Sequence, residues 1–137
     1  MAGFTNYLED KVIAHLFGGT AYTAPGTWYV GLFTGVPSDS AAGTEVTGGA
    51  YARQSVAWTI VTSGTAEAKN TAALTWSAAT TDWGLVQWAG VFDASSSGEL
   101  VAFEVLTKTD FSTANPKTVN TGDIFKIDAE NLKIQLD

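Results

Sequence analysis

The stretch Thr27–Val56, TWYVGLFTGVPSDSAAGTEVTGGAYARQSV, constrains this chain more than any other. It opens on an eight-residue apolar and aromatic run, TWYVGLFT, whose residue types suit a pleated strand buried on both faces. The run breaks at Gly35 and Pro37 into a loop of small and acidic residues. The chain then re-enters a strand through Gly48-Gly49 and YARQSVAWTIV, the two glycines permitting the positive φ that such a turn requires. A core strand that feeds a projecting loop and returns as a second strand is a β-protein pattern, with no chemistry of its own.

Composition bounds what can surround that strand. The 137 residues read as one domain, 1–137. A chain of this length buries roughly two-thirds of its unfolded surface, enough for a core without staples. With 45% hydrophobic and only 15% charged residues, the outer surface must be largely Ser, Thr, Ala and Gly. Such surfaces occur on subunits packed against one another and on extracellular binding modules. A net charge of −7, with seven scattered basic residues, argues against nucleic acid and against an anionic membrane surface. Cysteine is absent, which removes disulfides, thiolate metal sites and a cysteine nucleophile. The first apolar stretch is interrupted by Glu9, Asp10 and Lys11, so it reads as neither a signal peptide nor a membrane span. Work outside the cell would then follow release by lysis or as part of a particle.

Residues 4–17, FTNYLEDKVIAHLF, predict the one helix: Phe4, Leu8, Val12, Ile13, Leu16 and Phe17 recur at helical spacing. Asn6 with Glu9 forms a plausible capping pair, Thr5 competes as cap, and Gly18-Gly19 supplies the stop. From Gly19 the period becomes two. Strands are expected at 27–34, 51–61, 71–76, 85–92, 100–107, 124–128 and 132–136, with Ala52, Gln54, Val56, Trp58 and Ile60 sharing one face of the second. Val86, Trp88, Gly90 and Phe92 share a face of the fourth, and Val101, Phe103 and Val105 a face of the fifth. Leu132, Ile134 and Leu136 alternate in the last. Gly35–Gly49 and Thr109–Thr118 read as the long loops, the first as an arm that orders against a neighbouring copy. The fold class expected is all-β: an antiparallel β-sandwich or flattened barrel with one N-terminal amphipathic α-helix covering a sheet face or an open end.

Candidate sites are weak beside their structural explanations. His15 is the only histidine and is adequately explained as a helix-end residue. Glu99 and Glu104, like Asp39 and Glu45, fit an acidic surface as well as a carboxylate pair for glycoside hydrolysis. Asp123, Asp128 and Glu130 offer oxygen ligands suited to calcium, at spacings that match no known loop pattern. No enzyme, cofactor or metal is expected. Trp28, Trp58, Trp76 and Trp88 fall in apolar patterns and are expected in the core. Trp83, in the turn Asp82-Trp83-Gly84, lacks a core partner by pattern, and with Asp39 and Glu45 it is the candidate ligand or partner contact.

The ordered set of HLFGGTAY, YVGLFT with a following Pro-Ser, EVTGGAYAR, Asn70 before an apolar strand, WSAAT before a Trp-Gly turn, GVFDASSSGEL and KTVNTGD…LKIQLD resembles a family of small bacteriophage virion proteins labelled tail-fibre-like. The resemblance covers almost the whole chain. It implies a β-rich, non-enzymatic structural subunit of a tailed-phage particle, placed at a tail tip, a collar or the capsid surface as a decoration (cement) subunit. It also implies a homotrimer or higher symmetric assembly with other virion proteins as partners. A carbohydrate- or host-receptor-binding module is the alternative.

Overall fold

The computed structural model describes residues 3–108, 110 and 112–136. In chain order the elements are β1 (Gly3–Phe4), α1 (Asn6–Phe17), β2 (Trp28–Gly35), β3 (Thr44–Glu45), β4 (Gln54–Val56), β5 (Trp58–Val61) and β6 (Ala66–Asn70). They continue as β7 (Leu74–Thr75), β8 (Gly84–Val86), β9 (Trp88–Phe92), β10 (Leu100–Val105), β11 (Lys117–Val119), β12 (Lys126–Ile127) and β13 (Lys133–Leu136). The fold is antiparallel β throughout with one N-terminal helix, and its sheets stay open rather than closing into a barrel. Of the sequence expectations, the side chain of Leu136 and residues Thr109 and Phe111 of the second long loop lie outside the described residues.

The TWYVGLFT run is the centre of the molecule. β2 pairs with β9 along five residues and also carries β3 and β4, within a six-stranded sheet ordered β1-β10-β9-β2-β3 with β4 paired to β2. Val30, Gly31, Leu32 and Phe33 are all buried, as a strand apolar on both faces requires. Val30 and Leu32 face the main core with Val56 of β4 and with Leu74, Trp76, Val86, Val119 and Phe125, contributed by the small sheets β8–β11 and β7–β12 and their connections. Phe33 faces the other way, into a smaller cluster with Phe92 and Leu100.

Several expected strands are broken, each for a local reason. The 51–61 strand divides at Ala57: β4 pairs with β2, whereas β5 pairs with β6 in a separate sheet with β13. The shared face therefore does not persist, and Val56 is buried while Ile60 is 63% exposed. The 85–92 strand divides at Gln87, whose N–H donates to Phe33 O and whose carbonyl accepts from Leu106 N–H. Val86 consequently joins the main core and Phe92 the opposite cluster. In β10 the register slips between Leu100 and Ala102, so Val101 and Ala102 point into one cluster while Leu100 and Phe103 share another. Around 71–76 only Leu74–Thr75 is strand; Ala72 is exposed, and the unpredicted β6 precedes it. The 124–128 strand shortens to Lys126–Ile127 and leaves Ile124 exposed.

The helix begins at Asn6, because Gly3 and Phe4 pair with Phe103 and Ala102 as β1. Thr5 occupies the N-cap position, but its hydroxyl donates to Leu100 O instead of capping α1. Gly18 N–H closes on Ala14 O, and Gly19, at φ 70°, makes the left-handed exit. Tyr7 and Leu8 pack on Val91, Val101 and Ala102, which seats the N-terminal half of α1 on the sheet.

Asn70 is the polar staple of the small sheet. Its side chain has no exposed surface; Nδ2 donates to Ala72 O and Asp128 O, and Oδ1 accepts from Leu132 N–H. Replacing it strands two carbonyls and an amide in the interior. Asn70→Ala is expected to cost about 3 kcal/mol in urea unfolding, on the scale of buried groups left unsatisfied; a loss below about 1 kcal/mol would contradict this role.

A turn beginning at Asp110 is held by its carboxylate. The Thr113 hydroxyl, followed by the amides of Ser112 and Thr113, brings Asp110 from the ordinary 3.8 down to about 2. The folded value lies below the unfolded one, so this contribution is complete above about 3.8 and is lost as pH falls toward 2. A side-chain NMR titration should place the Asp110 midpoint near 2, and Thr113→Ala should move it back up. An ordinary midpoint in the parent chain would show the turn to be unformed in solution.

Candidate functional site

The most highly built polar arrangement sits on the outer face of the central sheet. Gly48, Gly49 and Ala50 run consecutively at φ 71°, 60° and 65°, turning the chain so that Tyr51 and Arg53 come back over Glu45. Arg53 Nε and Nη2 donate to Glu45 Oε1 and Oε2, both at 2.8 Å, a bidentate pair with side chains 8% and 22% exposed. Arg53 Nη1 reaches Ala94 O at 2.9 Å and Ser97 O at 2.7 Å in the β9–β10 hairpin. The guanidinium carbon lies 3.4 Å from the Phe92 ring centroid, and Phe92 stacks on Phe33 at 5.8 Å. Tyr51 Oη donates to Glu45 Oε1 at 2.7 Å and accepts from Leu32 N–H at 2.9 Å. Burial, reinforced by the Glu45 carboxylate, pushes its phenol far above the ordinary range.

Room for this cluster comes from Gly31. A Cβ there would lie 2.8 Å from Glu45 Oε1 and 2.9 Å from Phe92 Cε2. Its cross-strand partner Gly90 makes the same kind of space for Leu100 and Phe33. The arrangement can do little chemically. The carboxylate is committed to Arg53 and Tyr51, and its neighbours are carbonyls and aromatic rings. Its effect is mechanical: one guanidinium joins the 35–50 connection, the hairpin and the sheet.

The three candidate contact residues separate. Trp83, expected outside the core, is 6% exposed: its ring meets Tyr51 edge-on at 5.4 Å and Nε1 donates to Gly49 O. The reason is non-local, since the Gly48–Ala50 turn and the Tyr51 that follows it fold against the 82–84 turn and supply both partners. Glu45 is turned inward on Arg53. Asp39 remains exposed, with only its carbonyl engaged, by Asn6 N–H. The Gly35–Gly49 segment, expected as an arm without structure of its own, is folded on its own chain. Ser38 and Ala41 bridge, β3 pairs with β2, and Pro37 and Val46 are buried.

The remaining sequence candidates are dispersed. His15 Nδ1 accepts from Tyr22 N–H at the exposed end of α1. Asp128 pairs with Lys126 and Glu130 with Lys69. Among the described residues no group of three or more His, Asp or Glu side chains is placed to hold a metal. Trp76 is fully buried, whereas Trp28, Trp58 and Trp88 are half-buried at the core margins.

Two surfaces remain. The C-terminal end of the helical stripe, expected against the sheet or an open end, is uncovered among the described residues: Ile13, Leu16 and Phe17 are 58%, 64% and 81% exposed. Elsewhere a cleft of about 610 Å³ opens between the end of β10 and β11–β13, with Leu106, Phe125, Ile127 and Leu132 in its lining and Lys108 and Lys117 among its charged residues.

Residues 3–135, from β1 into β13, match the family model of the podophage GP4 fiber I protein gp80. The chain belongs to that family. A comparison with curated proteins finds no match. The gp80 family is a phage fibre family, so the tail-fibre-like resemblance in the ordered motifs is confirmed. EVTGGAYAR, quoted for that resemblance, contains Glu45, Tyr51 and Arg53, and the motif is the signal that should have led to the node.

Arg53→Ala leaves the Glu45 carboxylate largely enclosed without its cation and removes both hairpin contacts. The expected loss is about 3 kcal/mol in equilibrium unfolding, the scale for breaking a buried pair from one side. Arg53→Lys should recover little of it, because an ammonium cannot make the bidentate fork. Wild-type stability in Arg53→Ala would contradict the assignment.

Proposed function

We propose that this gp80-family chain is a non-enzymatic structural subunit of the fibre apparatus of a tailed phage, working through contacts with copies of itself and with other virion proteins. The observation that carries the proposal is the extent of the family match: it spans every element of the fold, so the whole domain, rather than one motif, is what the fibre family shares. The best-organised polar cluster supports a structural role, since each of its groups is spent on holding chain segments together. An apolar helix face left open on the isolated chain adds to it, because contiguous exposed apolar surface marks a protein contact. A cyclic homotrimer is the simplest assembly in keeping with a fibre. A glycan-stacking role for Trp83 has no exposed ring to act through.

Quantitative proteomics of purified particles tests this. The chain should co-purify with tails at a few to a few tens of copies per particle, and particles lacking its gene should lose a fibre while keeping intact capsids. Hundreds of copies that follow the capsid fraction would replace this reading with capsid decoration. Absence from the particle would overturn it.

A further inference from the structure

The geometry points to a head-to-tail contact between copies in which the apolar face of α1 on one copy seats in the lysine-lined cleft between β10 and β11–β13 of the next. The inference rests on the reading of the chain as a self-assembling structural subunit and says which surfaces meet.

Both surfaces are apolar and incomplete. Ile13, Leu16 and Phe17 stand at i, i+3 and i+4, so they form one continuous patch on the last turns of α1. The cleft offers Leu106, Phe125, Ile127 and Leu132, with Ile124 62% exposed in its lining. No residue belongs to both surfaces. One copy can therefore give its helix to one neighbour and receive a helix from another.

Charge selects this pairing over like-with-like contact. Four of the chain's seven basic residues, Lys108, Lys117, Lys126 and Lys133, line the cleft, in a chain whose net charge is −7. They stand beside three carboxylates, Glu104, Asp123 and Asp128, the last paired with Lys126. Lys108 and Lys117 have no ion-pair partner among the described residues. The acids nearest the apolar patch lie on its own helix: Glu9 and Asp10 are exposed on α1 four and three residues before Ile13, followed by the exposed Lys11. Two helix tips brought together would set Glu9 and Asp10 of one copy against those of the other, and two clefts would oppose Lys108 and Lys117. A contact joining two different surfaces closes into a ring when its rotation is a simple fraction of a turn. A rotation of one third of a turn at this contact would make the cyclic trimer proposed above.

Two variants, each defective in one surface, provide the test: Leu16→Asp on the helix and Ile124→Asp in the cleft, with Leu16→Ser and Ile124→Ser as substitutes if an aspartate disturbs the fold. Sedimentation velocity and native mass spectrometry read assembly, and circular dichroism checks that each variant is folded. Each variant alone should be monomeric where the parent chain is oligomeric. Mixed in equal amounts they should form a one-to-one dimer and nothing larger, since one intact helix and one intact cleft remain. In the parent chain, Glu9→Lys with Asp10→Lys should weaken assembly by about tenfold at low salt, an effect that screening reduces. A mixture that stays monomeric overturns the helix-to-cleft contact. A parent oligomer unaffected by either substitution also overturns it, yet leaves the structural-subunit reading standing. A parent chain that is monomeric at about 100 μM, where specific assembly should populate oligomers, overturns both.

Discussion

The guanidinium of Arg53 is the point on which the outer face of this molecule depends. It lies flat on Phe92, holds Glu45 with two hydrogen bonds and takes two carbonyls of the 93–98 turn. Those groups come from segments that share no strand and, in the case of the loop and the turn, few large side chains. Ser, Ala, Gly and Thr dominate 38–50 and 94–98, so burial alone supplies little to fix either segment. A charged group with a planar set of donors can hold several backbone segments at once. Buried ion pairs contribute little net stability compared with a well-packed apolar core. What Arg53 contributes is position.

The same economy applies on the other side of the fold. β7 and β12 have two residues each, β8 and β11 three, and pairs this short have no independent stability. They hold because Leu74, Val86, Val119 and Phe125 share one core with Val30 and Leu32 of β2. Asn70 then adds side-chain hydrogen bonds to Ala72, Asp128 and Leu132 beside the β6–β13 ladder, while Trp58 and Ile134 pack that sheet on Val91, Val101 and Ala102. The two-stranded sheets are thus dependents of β2, and the three-stranded sheet leans on its neighbours β9 and β10 as well.

What could be read from the sequence follows from how local each determinant is. β2 and the β9–β10 hairpin were legible because their alternation and turn signals lie within a few residues. The divisions at Ala57 and Gln87 were not, since apolar alternation continues across both and only the choice of pairing partner changes. The bulge at Val101 is invisible for the same reason. Trp83 was misplaced because its burial depends on Tyr51 and Gly49, more than thirty residues away along the chain. The helical stripe was correctly located, but periodicity says only that a face is apolar, and here Leu8 is covered while Leu16 is not. Arg53 and Glu45 stood in plain view within EVTGGAYAR, and Gly48-Gly49 signalled a left-handed turn between them. What the residue types did not signal is that Ala50 continues it at φ 65°, bringing Arg53 back over Glu45.

A gp80-family chain built in this way presents a β frame with an apolar helix tip exposed beside it. In a fibre such a tip is expected to be covered, because exposed apolar patches on assembled, soluble particles invite non-specific association. The most direct measurement is a cryo-EM reconstruction of the tailed particle that carries this protein, at a resolution that places side chains. Density for the chain is expected in the fibre, with Ile13, Leu16 and Phe17 enclosed at a boundary between subunits in every copy. A reconstruction in which those three side chains face solvent throughout the fibre would contradict it.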